Sequence, residues 1–126
     1  MLILDTDHLT AIDRGSDSGA KLRASLENEL GAYGTTIVSV SEQLQGLLAL
    51  IASAKREADV IERYGRLYKK LASLNGLLVL PWTTQAAEHF HRLRRERVRI
   101  GTMDWRIASI ALANGATLLT GNIRDF

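Results

Sequence analysis

The chain has 126 residues and a formal net charge of +2, with 46% hydrophobic and 24% charged residues. This length predicts a single domain over residues 1–126, and the composition is ordinary for a globular protein, which excludes extensive disorder. The chain has no cysteine, so a disulfide scaffold, thiolate chemistry and cysteine-ligated zinc are excluded.

The N-terminal sequence MLILDTD has no basic segment, long apolar segment or cleavage site, so it predicts a strand and not a secretion signal. The longest mostly apolar stretch, residues 44–54, is far shorter than a bilayer span. We therefore expect a cytoplasmic protein that does not bind membranes.

Hydrophobic periodicity predicts the following elements for the first half of the chain. A short buried strand at residues 2–4 precedes the polar run DTDH and a helix that begins near Asp7 or Leu9. An amphipathic helix is predicted at residues 20–30, followed by a β-branched strand at residues 33–40. The next helix has an apolar face that contains Leu44, Leu47, Leu48 and Ile51.

In the second half, a long helix at residues 58–74 carries an apolar face made of Ile61, Tyr64, Leu67, Tyr68 and Leu71. The run LLVLP predicts a buried strand that the only proline ends. Helices at residues 83–97 and 103–113 follow, and ATLLT is the fourth strand. Strands that alternate with pairs of helices indicate a three-layer α/β/α fold with a parallel sheet covered on both faces.

Three acids, Asp5, Glu42 and Asp104, each occur where an apolar strand or loop gives way to a helix. In an open α/β sheet, ligands bind outside the carboxyl ends of the parallel strands, so acids from distant parts of the chain can converge there. Converged carboxylates repel one another unless a cation lies between them. Their oxygens suit Mg²⁺ or Mn²⁺, and such ions can activate a water for phosphodiester hydrolysis.

Each of these acids also has a structural interpretation. Asp5 could simply cap the following helix, and Ser39 with Glu42 forms a capping-box pattern. Asp104 lies in the first turn of its helix, where a carboxylate complements the helix dipole. We favour metal binding because the three acids share one predicted rim.

Other polar residues are candidates for supporting roles. Asp7, two residues after Asp5, is close enough to assist it or to act only as a cap. Three polar residues follow the last strand: Thr120, Asn122 and Asp125. They could supply the fourth polar group of the metal site, or they could be ordinary turn formers. The spacing does not decide between Asn122 and Asp125. His8 has no motif around it, so the sequence assigns it no role.

The segment RLRRERVR, residues 92–99, carries five arginines against one acid. It could form a positive surface that binds RNA phosphates through Arg92, Arg95 and Arg99. The alternative is a solvated helix face whose arginine stems cover apolar surface.

At these residues the chain resembles the PIN-domain family, specifically VapC-like toxins of bacterial toxin–antitoxin pairs. The resemblance covers essentially the whole chain: LILDTD with Asp5, SVSEQLQG with Glu42 and Gly46, and MDWRIASIALANGATLLTGNIRDF. The last segment is similar to the family pattern D-x-x-I-A-x-x-A…G-A-x-L-x-T-x-N-x-x-D-F.

The resemblance implies a PIN-like fold with four or five parallel strands and a Mg²⁺- or Mn²⁺-dependent endoribonuclease. It also implies a cognate antitoxin and a homodimer. Asp5, Glu42 and Asp104 carry over as metal-binding acids. Ser39 or Ser41 and Thr120 correspond to positions beside the metal ligands. The fourth acid of the family commonly falls at Asn122, and Asp125 could take its place.

Two other functions fit some of the same residues. LILDTDHLT approaches the signature of haloacid-dehalogenase-like phosphatases, with Asp5 as nucleophile and Asp7 as acid. Its threonine, however, is one place late at Thr10. A non-catalytic module could bind nucleic acid or a partner through the arginine-rich segment, but three rim acids without a cation would repel RNA.

The helices at residues 44–51 and 61–71 carry more apolar surface than one face of a small sheet can absorb. Part of this surface could pair two protomers or receive an antitoxin helix. The alternative is plain core packing.

Overall fold

A computed structural model describes residues 1–13, 17–29, 33–96 and 102–119. In chain order they form β1 (Leu2–Leu4), α1 (Thr6–Asp13), α2 (Asp17–Glu29), β2 (Tyr33–Thr36), α3 (Ile37–Ala52), α4 (Glu57–Ser73), β3 (Leu78–Leu80), α5 (Thr84–Arg95), α6 (Thr102–Ala113) and β4 (Thr117–Leu119). A 3₁₀ turn, Leu74–Gly76, follows α4. The predicted order of strands and helices is confirmed.

The four strands form one parallel sheet in the order β3-β2-β1-β4. The N-terminal strand β1 is therefore central, with β2 on one side and β4 on the other. Leu2 pairs with Tyr33 of β2 and with Thr117 of β4. Whatever follows β1 consequently lies at the middle of the carboxyl edge of the sheet.

Helices cover both faces of the sheet, as predicted. Successive residues of a strand point to opposite faces, and Ile3 and Leu4 of β1 are both fully buried. Ile3 packs in a cluster with Val38 of α3 and Ile107 of α6. Leu4 packs in a second cluster with Ile12 of α1. The architecture is therefore a three-layer α/β/α sandwich.

The predicted strand at residues 33–40 was wrong in its second half. Strand β2 ends at Thr36, whose Oγ1 accepts a hydrogen bond from the Ser39 amide at 3.1 Å and so caps α3. The β-branched residues after Thr36 are helical because Val38 and Val40 are buried there, and burial outweighs their weak preference for strands. The predicted capping box of Ser39 and Glu42 does not form.

Most of the exposed large apolar side chains among the described residues lie on the α3–α4 hairpin. On α4, Ile61 is 67% exposed and Tyr68 is 77% exposed, and Tyr64 and Leu71 are also exposed. Core packing is therefore the wrong interpretation for these four residues. They follow one another at spacings of three and four, so they form one stripe along α4, which we call the apolar stripe.

None of the helices formed by the described residues is long and apolar enough to cross a membrane.

Two glycines provide a matched test of the sheet and of α3. A Cβ on Gly34 would lie 2.6 Å from the carbonyl oxygen of Leu78, which belongs to the paired strand β3. Gly34→Ala should therefore force β2 and β3 apart and lower the free energy of unfolding by about 1–3 kcal/mol. Apart from the nearby backbone of its own helix, no described atom lies within 4 Å of a Cβ added to Gly46, inside α3. Gly46→Ala should raise the free energy of unfolding by about 0.5–1 kcal/mol.

Urea unfolding of both variants checks this prediction. An unchanged midpoint for Gly34→Ala would show that the two strands are not so close.

Candidate active site

Asp5 lies directly after the central strand and immediately before α1. Its side chain is buried, with the residue only 5% exposed. Its Oδ1 accepts a hydrogen bond from the His8 amide at 2.9 Å, and its backbone nitrogen donates to the Leu119 carbonyl at 3.2 Å. Asp5 therefore caps α1, as the structural interpretation predicted, and it does so at the rim where the sequence predicts a metal site.

His8 contacts Asp5, which the sequence analysis did not foresee. Its Nδ1 lies 2.7 Å from Asp5 Oδ1. An ionised carboxylate only accepts hydrogen bonds, so Nδ1 carries the proton and donates it. This contact holds both the carboxylate and the imidazole in one orientation. The sequence feature that could have predicted this contact is the spacing of three residues between Asp5 and His8. At the start of a helix, this spacing places a side chain next to the capping carboxylate.

Glu42 reaches the same end of α1 from α3. Thr6, the first residue of α1, donates a hydrogen bond from Oγ1 to Glu42 Oε1 at 3.0 Å. Because Thr6 directly follows Asp5, the structure brings two of the three predicted acids to neighbouring positions. The carboxylate of Glu42 is held by a hydroxyl of α1 and not by a capping box of its own helix.

Asp104 is half-buried in the first turn of α6. The predicted inward stripe of this helix is confirmed, because Ile107 and Ala111 are buried and Ala108 is half-buried. Among the described residues, no three His, Asp or Glu side chains are grouped closely enough to hold a metal ion. The set of three acids therefore stays a prediction.

The candidates for the fourth polar group of the metal site, Thr120, Asn122 and Asp125, lie outside the described residues.

The donor chemistry at Asp5 and Glu42 nevertheless fits Mg²⁺ or Mn²⁺. Both side chains offer carboxylate oxygens, which hard divalent cations prefer, and the chain has no cysteine to favour a softer metal. The buried carboxylate of Asp5 is costly to desolvate, and the amide and the ring of His8, which both contact its Oδ1, offset part of that cost. A cation held at this rim would add a further favourable interaction.

The remaining candidates lie close to these acids. Asp7 is exposed in the first turn of α1. Ser41 donates a hydrogen bond to the Val38 carbonyl at 2.9 Å, within α3. Ser39 is fully buried and lies against the Thr36 hydroxyl at 3.3 Å. The contacts of both serines therefore support the N-terminal turns of α3, from which Glu42 projects.

A groove between α1, α3 and α4 adjoins this site. We call it the α1–α3–α4 groove. Its volume is about 710 Å³, and it is lined by Thr10, Asp13, Gln43, Gly46, Leu47, Leu50, Arg66, Lys69, Lys70 and Ser73. Along the groove, Nζ of the buried Lys70 lies 2.6 Å from Asp13 Oδ2 and so joins α4 to α1. Sequence reasoning missed the groove because it depends on how three helices pack.

The arginine-rich segment begins in the last turn of α5. Arg92 and Arg95 are exposed there, and Arg99 lies outside the described residues. Arg94 is held above the ring of Phe90, with 5.6 Å between its guanidinium carbon and the ring centroid. One arginine of this segment thus covers apolar surface, as the alternative interpretation stated, while Arg92 and Arg95 face solvent.

Comparison with known families identifies the chain. The model of the PIN domain matches residues 2–126. The chain belongs to the PIN-domain family. PIN domains are typically metal-dependent nucleases. The resemblance derived from the sequence motifs is therefore confirmed at the level of the family.

Solved structures with the same fold come from toxin–antitoxin complexes. VapBC-1 from nontypeable Haemophilus influenzae matches with a TM-score of 0.74 and 18% identity, over 99% of this chain and 89% of that chain. A toxin–antitoxin complex from Klebsiella pneumoniae matches with a TM-score of 0.74 and 18% identity, over 100% of this chain and 90% of that chain. VapBC2 from Rickettsia felis, bound to a promoter DNA fragment, matches with a TM-score of 0.68 and 23% identity, over 99% of this chain and 90% of that chain. At these identities the likeness shows the fold.

No curated protein matches the chain significantly. Because the PIN-domain match spans nearly the whole chain, the phosphatase alternative with Asp5 as nucleophile and Asp7 as acid is set aside.

The Thr6–Glu42 hydrogen bond generates a prediction about metal affinity. Thr6→Val removes the hydroxyl and keeps the shape of the side chain, so Glu42 loses the contact that orients it. Loss of a group that orients a ligand typically costs about 10–100-fold in metal affinity. We expect Mn²⁺ to raise the melting temperature of the wild type by ligand linkage, and Thr6→Val to require a correspondingly higher Mn²⁺ concentration.

Thr6→Ser keeps the hydroxyl and serves as the control. Equal Mn²⁺ responses of Thr6→Val and Thr6→Ser would show that this hydrogen bond has no part in metal binding.

Proposed function

We propose that this PIN-domain protein is a toxin endoribonuclease that requires Mg²⁺ or Mn²⁺ and is neutralised by a cognate antitoxin in the cytoplasm. The observation that carries the proposal is the buried Asp5 carboxylate at the carboxyl end of the central strand, with Glu42 turned to the same helix start. That residues 1–126 form one PIN domain stays a prediction.

In the proposed site, Asp5, Glu42 and Asp104 hold the cation, and Asp125 or Asn122 completes the set. A bound ion would supply the activation of a water and the stabilisation of charge on the leaving oxygen. His8 fixes the orientation of Asp5, and Thr6 fixes that of Glu42. Asp7, Ser41 and Thr120 support these positions. The exposed Arg92 and Arg95, together with Arg99, attract the phosphates of RNA.

Substitution of the acids tests the catalytic assignment. Asp5→Asn, Glu42→Gln and Asp104→Asn each remove one negative charge from the metal site without changing its shape. We expect each to lower Mn²⁺-dependent cleavage of single-stranded RNA by at least about 100-fold, the scale at which loss of charge stabilisation acts on rates. A labelled oligonucleotide resolved by electrophoresis measures the cleavage.

Asp17→Asn is the matched control for this series. Asp17 is an exposed residue of the first turn of α2, so its change in charge should leave cleavage near the wild-type rate. Metal-independent cleavage, or a rate that Asp5→Asn leaves unchanged, would refute the assignment.

Partners are proposed from the apolar stripe on α4. Its four residues, Ile61, Tyr64, Tyr68 and Leu71, are all more than half exposed, and monomeric proteins rarely leave contiguous apolar surface uncovered. The structural neighbours come from complexes with antitoxins. We infer that this stripe pairs two protomers of the toxin, or receives a helix of the antitoxin.

Sedimentation distinguishes these two occupants. If the stripe pairs two copies, the wild type should sediment as a dimer and Tyr68→Asp should shift it to the monomer, because a charge would be buried in the interface. Leu112→Asp is the control, since Leu112 is an exposed apolar residue on α6, away from the stripe. A wild type that stays monomeric at high micromolar concentration contradicts the dimer.

A further inference from the structure

Trp82 is an exposed aromatic residue that follows an edge strand of the sheet. Strand β3 ends at Leu80, which pairs with Thr36 at the end of β2, and β2 pairs in turn with β1. Neighbouring strands lie about 4.7–4.9 Å apart, so the end of β3 is about 10 Å from the end of β1, where Asp5 lies. Trp82 is 39% exposed. It therefore lies at the same edge of the sheet as the predicted metal site.

The indole of Trp82 packs against the buried ring of Phe90, on α5. The two ring centroids are 5.7 Å apart and the ring planes are inclined at 75°, which is an edge-to-face contact. In such a contact the edge of one ring meets the face of the other, so Phe90 covers at most one face of the indole. Trp82 therefore presents a flat apolar surface to solvent and is supported by a core residue.

Two arginines lie over the same Phe90 ring. The guanidinium carbon of Arg94 is 5.6 Å from the ring centroid, and that of Arg106, on α6, is 5.5 Å from it. Arg94 is exposed and Arg106 is half-buried. Neither arginine forms a salt bridge with any residue that the structure describes. A guanidinium has five N–H donors, so the exposed Arg94 can bind a phosphate while its stem stays on Phe90.

A shallow basic concavity adjoins Arg94. Its volume is about 460 Å³, and it is lined by His91, Arg94 and Arg95. All three residues are exposed, and no acid lines the concavity, so it attracts anions. The ring of His91 also contacts Phe90, with 5.7 Å between the centroids. We call Trp82, His91, Arg94 and Arg95, which surround Phe90, the α5 patch.

The chemistry of single-stranded nucleic acid matches both parts of the α5 patch. Unpaired bases stack on exposed aromatic side chains, and arginines bind the phosphates between those bases. An acidic peptide would use the cations but would leave the indole of Trp82 without a partner. In a duplex the faces of the bases are already stacked on one another. The patch therefore favours a single strand over both.

The α5 patch flanks the acids and does not enclose them. Arg106, which lies over Phe90, follows Asp104 by two residues in α6. Side chains two residues apart on a helix do not face each other, so Asp104 and Arg106 leave α6 on different sides. A strand that has one phosphate at the acids therefore reaches the patch with another nucleotide.

We propose that the α5 patch binds an unpaired nucleotide of the RNA substrate beyond the scissile linkage, with its base on Trp82 and its phosphate at His91, Arg94 and Arg95. The proposal rests on the proposed ribonuclease function and adds a subsite that selects single-stranded RNA over duplex RNA.

The fluorescence of Trp82 tests the stacking directly. The chain has two tryptophans, so Trp105→Phe leaves Trp82 as the only one, and Asp5→Asn prevents cleavage during the titration. In this double variant, single-stranded RNA should quench the emission, because a stacked base quenches an indole. A duplex of the same RNA and a glutamate decapeptide should leave the emission near its starting value. Unchanged emission when anisotropy shows that single-stranded RNA has bound would contradict stacking on Trp82.

The anisotropy of a labelled RNA measures the contribution of each part of the patch in the Asp5→Asn background. Trp82→Ala should weaken binding of the single strand about 5- to 150-fold, the loss expected for one stacked base, whereas Trp82→Phe should retain most of the affinity. Arg94→Ala should reduce the slope of log affinity against log salt by about 0.7, the value for one phosphate contact on a single strand.

Two exposed residues outside the patch provide the controls for the anisotropy series. Leu48, on α3, is 55% exposed, and Lys55 is an exposed cation between α3 and α4. Leu48→Ala and Lys55→Ala should both bind RNA as the parent does. The melting temperature of each variant confirms that it is folded. Equal losses for single-stranded and duplex RNA in Trp82→Ala would overturn the stacking role.

The outcomes separate this proposal from the ribonuclease function. If Asp5 is required for cleavage but Trp82→Ala binds RNA as tightly as Leu48→Ala, the α5 patch is not a subsite and the ribonuclease function stands. If the wild type does not cleave RNA with Mn²⁺ but single-stranded RNA quenches Trp82 and Trp82→Ala weakens binding, the ribonuclease function is wrong and the patch stands as a binding surface. A glutamate decapeptide that displaces the RNA and quenches Trp82 equally well would overturn the proposal in favour of an acidic peptide.

Discussion

The position of the Asp5 carboxylate is the constraint on which the rest of the site depends. Strand β1 is paired on both sides, and its two buried residues, Ile3 and Leu4, anchor it to both layers of helices. The chain therefore leaves the sheet at its centre, and Asp5 caps the helix that begins there. The sheet fixes its backbone and the helix fixes its side chain, so the carboxylate is held before any ligand binds.

The remaining contacts of the site follow from where two helices begin. Because α1 starts at Thr6, the Thr6 hydroxyl contacts Glu42 and the His8 ring contacts Asp5 at the same end of the helix. Because Thr36 caps α3, that helix begins three residues earlier than a cap at Ser39 would allow. This start sets the rotation of α3 about its axis and turns Glu42 towards α1.

The α3–α4 hairpin presents two different surfaces. On one side, the ion pair between the buried Lys70 and the exposed Asp13 joins α4 to α1 along the groove. On the other side, the apolar stripe has no partner within the described chain. The groove and the apolar stripe therefore lie on separate surfaces of the hairpin.

Sequence pattern sufficed for the order of the elements, because a sheet buried on both faces requires apolar strands, and helices packed on it require apolar faces at helical spacing. It also placed Asp5 and Glu42 at one rim, since parallel strands have a common carboxyl edge. It missed the end of β2, because the burial of Val38 and Val40 outweighs their preference for strands.

Only tertiary packing decided the contact of Thr6 with Glu42 and that of Lys70 with Asp13. Thr6 and Glu42 lie 36 positions apart in the sequence, and Asp13 and Lys70 lie 57 positions apart. Each contact forms only when separate helices pack together.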